Sequence, residues 1–212
     1  MDTVSSSSII SAAAGIIGVL LGNSFVAVKE WLAGRSKRDR DTAYLAILVA
    51  SHLNRLANEC LHVALDDGTA EGQPAGHDGE YQPTTTLPGF HPLDIDVEWK
   101  VLPKELMYSI LRLPDENERI QNRLAGIIEF DSDYPDHVEY FWARRRDYAK
   151  LGLNASMLAQ RLQRHAGMPV ELPKDGEWSR DNELKDVVKR IDDAMEARNR
   201  RFAERQASGE LL

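Results

Sequence analysis

The chain of 212 residues carries 26 Lys/Arg against 34 Asp/Glu, a formal net charge of −8, with 42% hydrophobic and 28% charged residues. That is ordinary globular composition, and the acidic balance argues against a nucleic-acid partner, which needs a basic face. The single cysteine, Cys60, excludes a four-cysteine zinc site and fits a reducing compartment, since small secreted domains usually carry an even set for disulfides.

From Thr3 to Val28 no residue is charged, and ten of the twenty residues Ile9–Val28 are Ile, Leu, Val or Phe. A helix of that length spans about 30 Å, the thickness of a bilayer's hydrocarbon core. Ten such side chains favour insertion by about 3 to 6 kcal/mol, from which Ser11, Asn23 and Ser24 subtract. Lys29, Arg35, Lys37, Arg38 and Arg40 follow the segment, whereas only Asp2 precedes it. Positive residues stay on the cytoplasmic side. The expectation is therefore a single-pass helix in the plasma (inner) membrane, its N-terminus outside and residues 29–212 in the cytoplasm. Trp31 sits where an interfacial aromatic would anchor it.

Three other readings compete. A cleaved signal peptide needs a basic start and small residues at the cut, and this segment has neither. A buried helix of a soluble assembly is compatible with the glycines. A helix lying on the membrane surface needs a charged face, which is absent. Within the segment, Ala14, Gly18 and Gly22 recur every four residues, and Ser11, Gly15, Gly18 and Gly22 follow a 4-3-4 spacing. Small side chains on one face let a second helix approach closely. Self-association or docking on another membrane protein is the functional reading; glycine's general frequency in membrane helices is the plain one.

A basic linker, 33–41, leads into a helix over 42–65 in which Leu45, Val49, Leu53, Leu56, Cys60 and Val63 share one face. Gly34 is the one breaker between this helix and the apolar segment, so the two either run on as one helix or bend there. Residues 66–92 hold five glycines and four prolines with few apolar residues, a composition that favours disorder, or else a recognition loop. Residues 93–101 alternate apolar and charged, the pattern of a half-buried strand, although no second strand pairs with it. It pairs with another copy, or lies as an extended segment on helices; Ile95, Trp99, Leu102 and Leu106 also fit a helical face.

Residues 103–113 suit a short helix that Pro114 stops, with Asp115 then capping a second helix to about Phe130. Another starts at Pro135 or Asp136, with Gly152 and Asn154 able to break it, and ends at Gly167 and Pro169. After a linker, a charged helix over 179–206 carries the stripe Leu184, Val187, Val188, Ile191, Ala194 and Met195. The predicted architecture is mainly α. A transmembrane anchor (1–32) precedes a basic linker and helix (33–65), a flexible loop (66–92), a helical core (93–167) and a linker with a charged C-terminal helix (168–212). Together these form a cytoplasmic bundle.

Chemistry-bearing clusters are sparse. Glu59 and His62 form one Glu-x-x-His step on a helix face; di-iron carboxylate bundles use that step twice, with two further glutamates. Asp131, Asp133, Asp136, His137 and Glu139 offer oxygen ligands at close spacing, but the run lacks the glycine and the glutamate of a calcium loop. An acidic inter-helix turn with a cap explains it as well. Arg144, Arg145, Arg146 and Lys150 would suit anionic lipid or a phosphate-bearing ligand, or simply pair with the neighbouring acids. Cys60 lies on an apolar face, where thiols are inert. No nucleophile–base set and no glycine-rich phosphate loop occurs, and no cofactor is implied.

The leading expectation is thus a non-enzymatic, membrane-anchored adaptor, scaffold or oligomeric subunit whose partners are membrane lipid, another copy or another membrane protein. A membrane-tethered metal-dependent enzyme and a pore-forming effector are the alternatives.

Overall fold

The computed structural model describes residues 3–171, 173–174 and 176–207, with side chains from residue 29 onward. The chain is mainly helical. Its first element, α1 (Thr3–Leu65), is one uninterrupted helix of 63 residues, about 95 Å long. The helix continues through Gly34 without interruption. Residues 29–40 are exposed all round, and only from Leu45 does the helix enter a core. There Leu45, Val49, Leu53, Leu56, Cys60 and Val63 are at most 2% exposed, and each buried leucine contributes about 1.5 to 3 kcal/mol. Ala46, Ala50, Ala57 and Ala64 are buried too, so the second half of α1 is enclosed on more than one side.

Four further helices complete the bundle: α2 (Lys104–Leu111), α3 (Leu113–Glu129), α4 (Val138–His165) and α5 (Arg180–Ala207), of which α4 and α5 pack on α1. The α4 helix runs antiparallel to α1. Arg144 reaches Asp66, Arg145 donates to the Ala64 carbonyl, and Gln163 shares a cleft with Ala50. Gly152 stands at a close contact between the two helices. A β-carbon there would lie 2.9 Å from Cβ of Cys60 and 3.1 Å from Cδ1 of Leu184. The glycine that the sequence offers as a break is therefore a contact point, and α4 passes Gly152 and Asn154 intact. Both α3 and α5 are antiparallel to α4. Bonds Asn154–Glu116 and Arg123–Asp147 set the register of α3, and Ser156–Asp181 and Arg146–Asp192 that of α5.

The connection between α1 and α2 departs from its composition. Residues 66–92 follow a defined path in place of disorder. A two-residue hairpin, β1 (Thr69–Ala70) with β2 (Gln73–Pro74), pairs Thr69 with Pro74 and Ala70 with Gln73. Its turn residues Glu71 and Gly72 both take positive φ. Tyr81 then donates to the Pro135 carbonyl, Asn117 donates to the Pro88 carbonyl at 2.9 Å, and Phe90 enters the core.

Residues 93–101 are not a strand. Single 3-10 turns occupy Pro92–Asp94 and Trp99–Val101, and Ile95, Val97, Trp99 and Val101 lean on the core. Leu93 is 80% exposed. The alternation does mark which side faces the helices, but with no partner strand the backbone bonds close locally instead.

The junction of α2 and α3 also differs from expectation. Pro114 does not stop a helix; it lies in the first turn of α3, where its missing N–H costs nothing. Asp115 is therefore a first-turn acid, favourable at the positive end of the helix, and not the cap.

Among the described residues no helix is long and apolar enough to cross a membrane. The side chains of Ile9–Val28, where the span is expected, lie outside that description, as do those of Ser11, Ala14, Gly15, Gly18 and Gly22.

Candidate functional site

The far end of α1 is closed by an ion pair that sequence spacing did not join. Asp66 and Arg144 stand 78 positions apart, with side chains 1% exposed, and Arg144 Nη1 donates to Asp66 Oδ2 at 2.9 Å. Backbone and hydroxyl groups of Thr84 and Thr85 and the Gly68 amide donate to the same carboxylate at 2.8–3.1 Å. Arg144 Nη2 adds the Thr85 hydroxyl and carbonyl. Burial opposes the charge on Asp66, but the bonds from Thr85, Gly68 and Thr84 outweigh it and hold the carboxyl at about 2. This knot is what orders the glycine- and proline-rich segment.

The expected run of exposed cations is therefore corrected. Arg144 is interior and cannot touch lipid. Arg145 donates to the last turn of α1 and is half-buried, which lowers its pKa. Arg146 pairs with Asp192 of α5. None of the three pairs with the 131–139 acids. Only Lys150 stays exposed.

The acidic cluster resolves into local caps. The Asp133 amide donates to Asp131 Oδ1, and the Val138 amide to Asp133 Oδ2. His137, in a left-handed conformation ahead of α4, sets Nδ1 2.7 Å from Asp131 and Nε2 3.4 Å from Glu80. The bond to Asp131 raises the His137 pKa and Glu80 adds to it, whereas desolvation opposes both. Asp136 is exposed and takes no part in these bonds. Glu59 accepts a long bond from the Gly89 amide, and His62 points to solvent. Among the described residues no group of three or more His, Cys, Asp or Glu could hold a metal ion. Burial, reinforced by the Glu59 charge, pushes the Cys60 thiol far above its ordinary range, so it is no nucleophile.

Two polar assemblies on the bundle were not read from the sequence. One centres on Arg180 at the start of α5. It donates to the Asn54 carbonyl and side chain, to Asn58 and to Ser156, while Ser156 donates to Asp181 at 2.7 Å. A polar cleft of about 460 Å³ opens beside it, bordered by Gln160, Gln163 and Trp178. Ser156 has a carboxylate and a guanidinium as its partners and no imidazole or amine to activate it. The assembly clamps α5 onto α1 and α4 and carries no nucleophilic chemistry.

The other is an open groove of about 480 Å³ between α3 and α4, lined by Arg112, Glu116, Arg119, Ile120 and Arg123 from α3 and Asp147, Lys150, Leu151 and Asn154 from α4. Arg112, Arg119 and Arg123 are spaced seven and four apart, which sets them on one helical face. That spacing is legible in the sequence; the facing helix that turns it into a groove is not.

No known protein family, curated protein or solved structure matches this chain.

Proposed function

We propose that the chain is a single-pass membrane-anchored helical protein that works without catalysis, as an adaptor, scaffold or oligomeric subunit. The observation that carries this reading is the continuity of α1. The uncharged apolar stretch Ile9–Val28 and the central helix of the bundle, Leu45–Leu65, belong to one helix. Between them runs an exposed basic stretch, 29–40, about 18 Å long. A helix this polar has no reason to stand clear of its bundle unless its far end is held elsewhere. With the apolar end in a bilayer, N-terminus outside, the basic stretch falls on the cytoplasmic side as charge asymmetry requires. The small-residue face of Ser11, Ala14, Gly15, Gly18 and Gly22 then offers a close-packing surface to a second membrane helix.

The test is to tag the C-terminus, prepare membranes, wash them with alkaline carbonate, extract in mild detergent and identify what stays bound. Retention in the washed membrane with a stoichiometric second protein is the expected result, and deletion of residues 1–32 should release the chain into the soluble fraction. Release of the full chain by carbonate would remove the anchor. Retention with a homo-oligomer alone would leave subunit self-association and remove the adaptor, and Gly18→Leu should then weaken that oligomer.

A further inference from the structure

The groove between α3 and α4 carries more positive charge than its own acids neutralise. Arg112 pairs with Glu116 at 3.3 Å and lies over the Tyr108 ring, while Arg123 pairs with Asp147 at 2.7 Å. Glu116 is further held by Asn154. Both carboxylates are thus committed. Two cations remain. Arg119 spends only its Nε, on the Asp115 carbonyl one turn back, and keeps both terminal nitrogens for another acceptor. Lys150 is exposed and, among the described residues, has no carboxylate partner. The cross-helix bonds Asn154–Glu116 and Arg123–Asp147 fix the register so that Arg119 and Ile120 face Lys150 and Leu151. The unpaired cations are therefore opposite one another across an apolar floor, with a satisfied ion pair at each end.

From this arrangement we infer that the groove is a binding site for a small soluble phosphate monoester with an apolar or aromatic body. The Arg119 guanidinium offers a two-pronged donor of the kind that fits a phosphate, and the Lys150 ammonium a point charge against it. The volume lies in the range of small-molecule sites. Ile120 and Leu151 would take the body of the ligand, and the flanking pairs define its two ends. A bilayer phospholipid is not the source. The α4 side of the groove lies alongside the last turns of α1, with Gly152 against Cys60. That is about 48 Å along the helix from Val28.

The exclusion of a bilayer lipid rests on the membrane reading whereas the site itself does not, and the site is tested on the full chain in nonionic detergent at low salt, by calorimetric titration with phenyl phosphate and with inorganic phosphate. One saturable site is expected, with phenyl phosphate bound about tenfold tighter than inorganic phosphate, a difference of about one methylene to two in buried apolar surface. The Arg119→Gln/Lys150→Gln variant should weaken phenyl phosphate at least about tenfold at unchanged thermal stability, because both side chains are solvent-facing. Arg161→Gln/Arg164→Gln, exposed cations on the same helix away from the groove, should change nothing. Absence of a saturable site, or equal loss in both double variants, would overturn the site. Phosphatidic acid in the micelles should not compete; displacement of bound phenyl phosphate by an equimolar amount of it would overturn the soluble ligand.

Discussion

Asp66 shows how one side chain organises a segment that has little hydrophobic surface of its own. Its carboxylate collects donors from both ends of the 66–85 stretch and from Arg144 on α4, so the loop closes around a charge and not around an apolar core. A buried pair of this kind is costly to break from one side, because the partner left behind is a desolvated ion. Arg144→Met is expected to destabilise the fold by about 3 to 5 kcal/mol, measured by denaturant unfolding. Adding Asp66→Asn to it should cost less than the sum of the two single changes. The same carboxyl sets an acid limit. Its pKa is depressed in the fold to about 2 and recovers to about 3.9 when unfolded. Its stabilisation is therefore complete above pH about 4 and fades as the pH falls toward 2. Thermal melting across that window should drop more steeply for the native chain than for Asp66→Asn, and parallel curves would refute the assignment.

Among the elements, helix periodicity was the dependable guide. The stripe from Leu45 to Val63 was readable because burial on one side repeats every three or four residues, and the structure buries each of its members. The errors come from punctuation whose meaning depends on a neighbour. Pro114 reads equally as a stop and as a first-turn residue, and the continuation of α3 decides it. Gly152 reads as a break until α1 is seen against it. The alternating 93–101 stretch reports a buried and an exposed side truthfully, but a strand also needs a partner, which periodicity does not supply. Of the candidate site residues, Arg144 was singled out for its charge and misread for its place, since its partner Asp66 is remote in sequence. At this scale the sharpest expectation concerns Gly152. Gly152→Ala places a methyl against Cys60 Cβ and Leu184, so unfolding by denaturant should show a loss of about 1 to 3 kcal/mol, even though alanine is the better helix former. A neutral or stabilising result would mean that α1 and α4 separate more readily than their packing implies.

The whole molecule is built on a single axis. Helices α4 and α5 pack on the second half of α1, α3 packs on α4, and the 66–101 stretch returns along the bundle to start α2. The stretch 29–40 is exposed, and only its end, at Arg38 and Asp39, borders a cleft with Val101–Pro103 and His165 of the bundle. Because α1 is continuous, its two halves are geared together. One residue inserted beside Gly34 would rotate the bundle by about 100° about the axis and raise it by about 1.5 Å; four residues would bring it back to within about 40° at a cost of about 6 Å in height. A partner that meets the bundle at a fixed bearing would then respond to azimuth and not to distance. Alanine insertions of one to seven residues, scored by the partner recovered from detergent extracts, should give a yield that rises and falls with the helical period of about 3.6. A smooth decline would instead mean that the stalk is a mere spacer, and that α1 flexes between its halves.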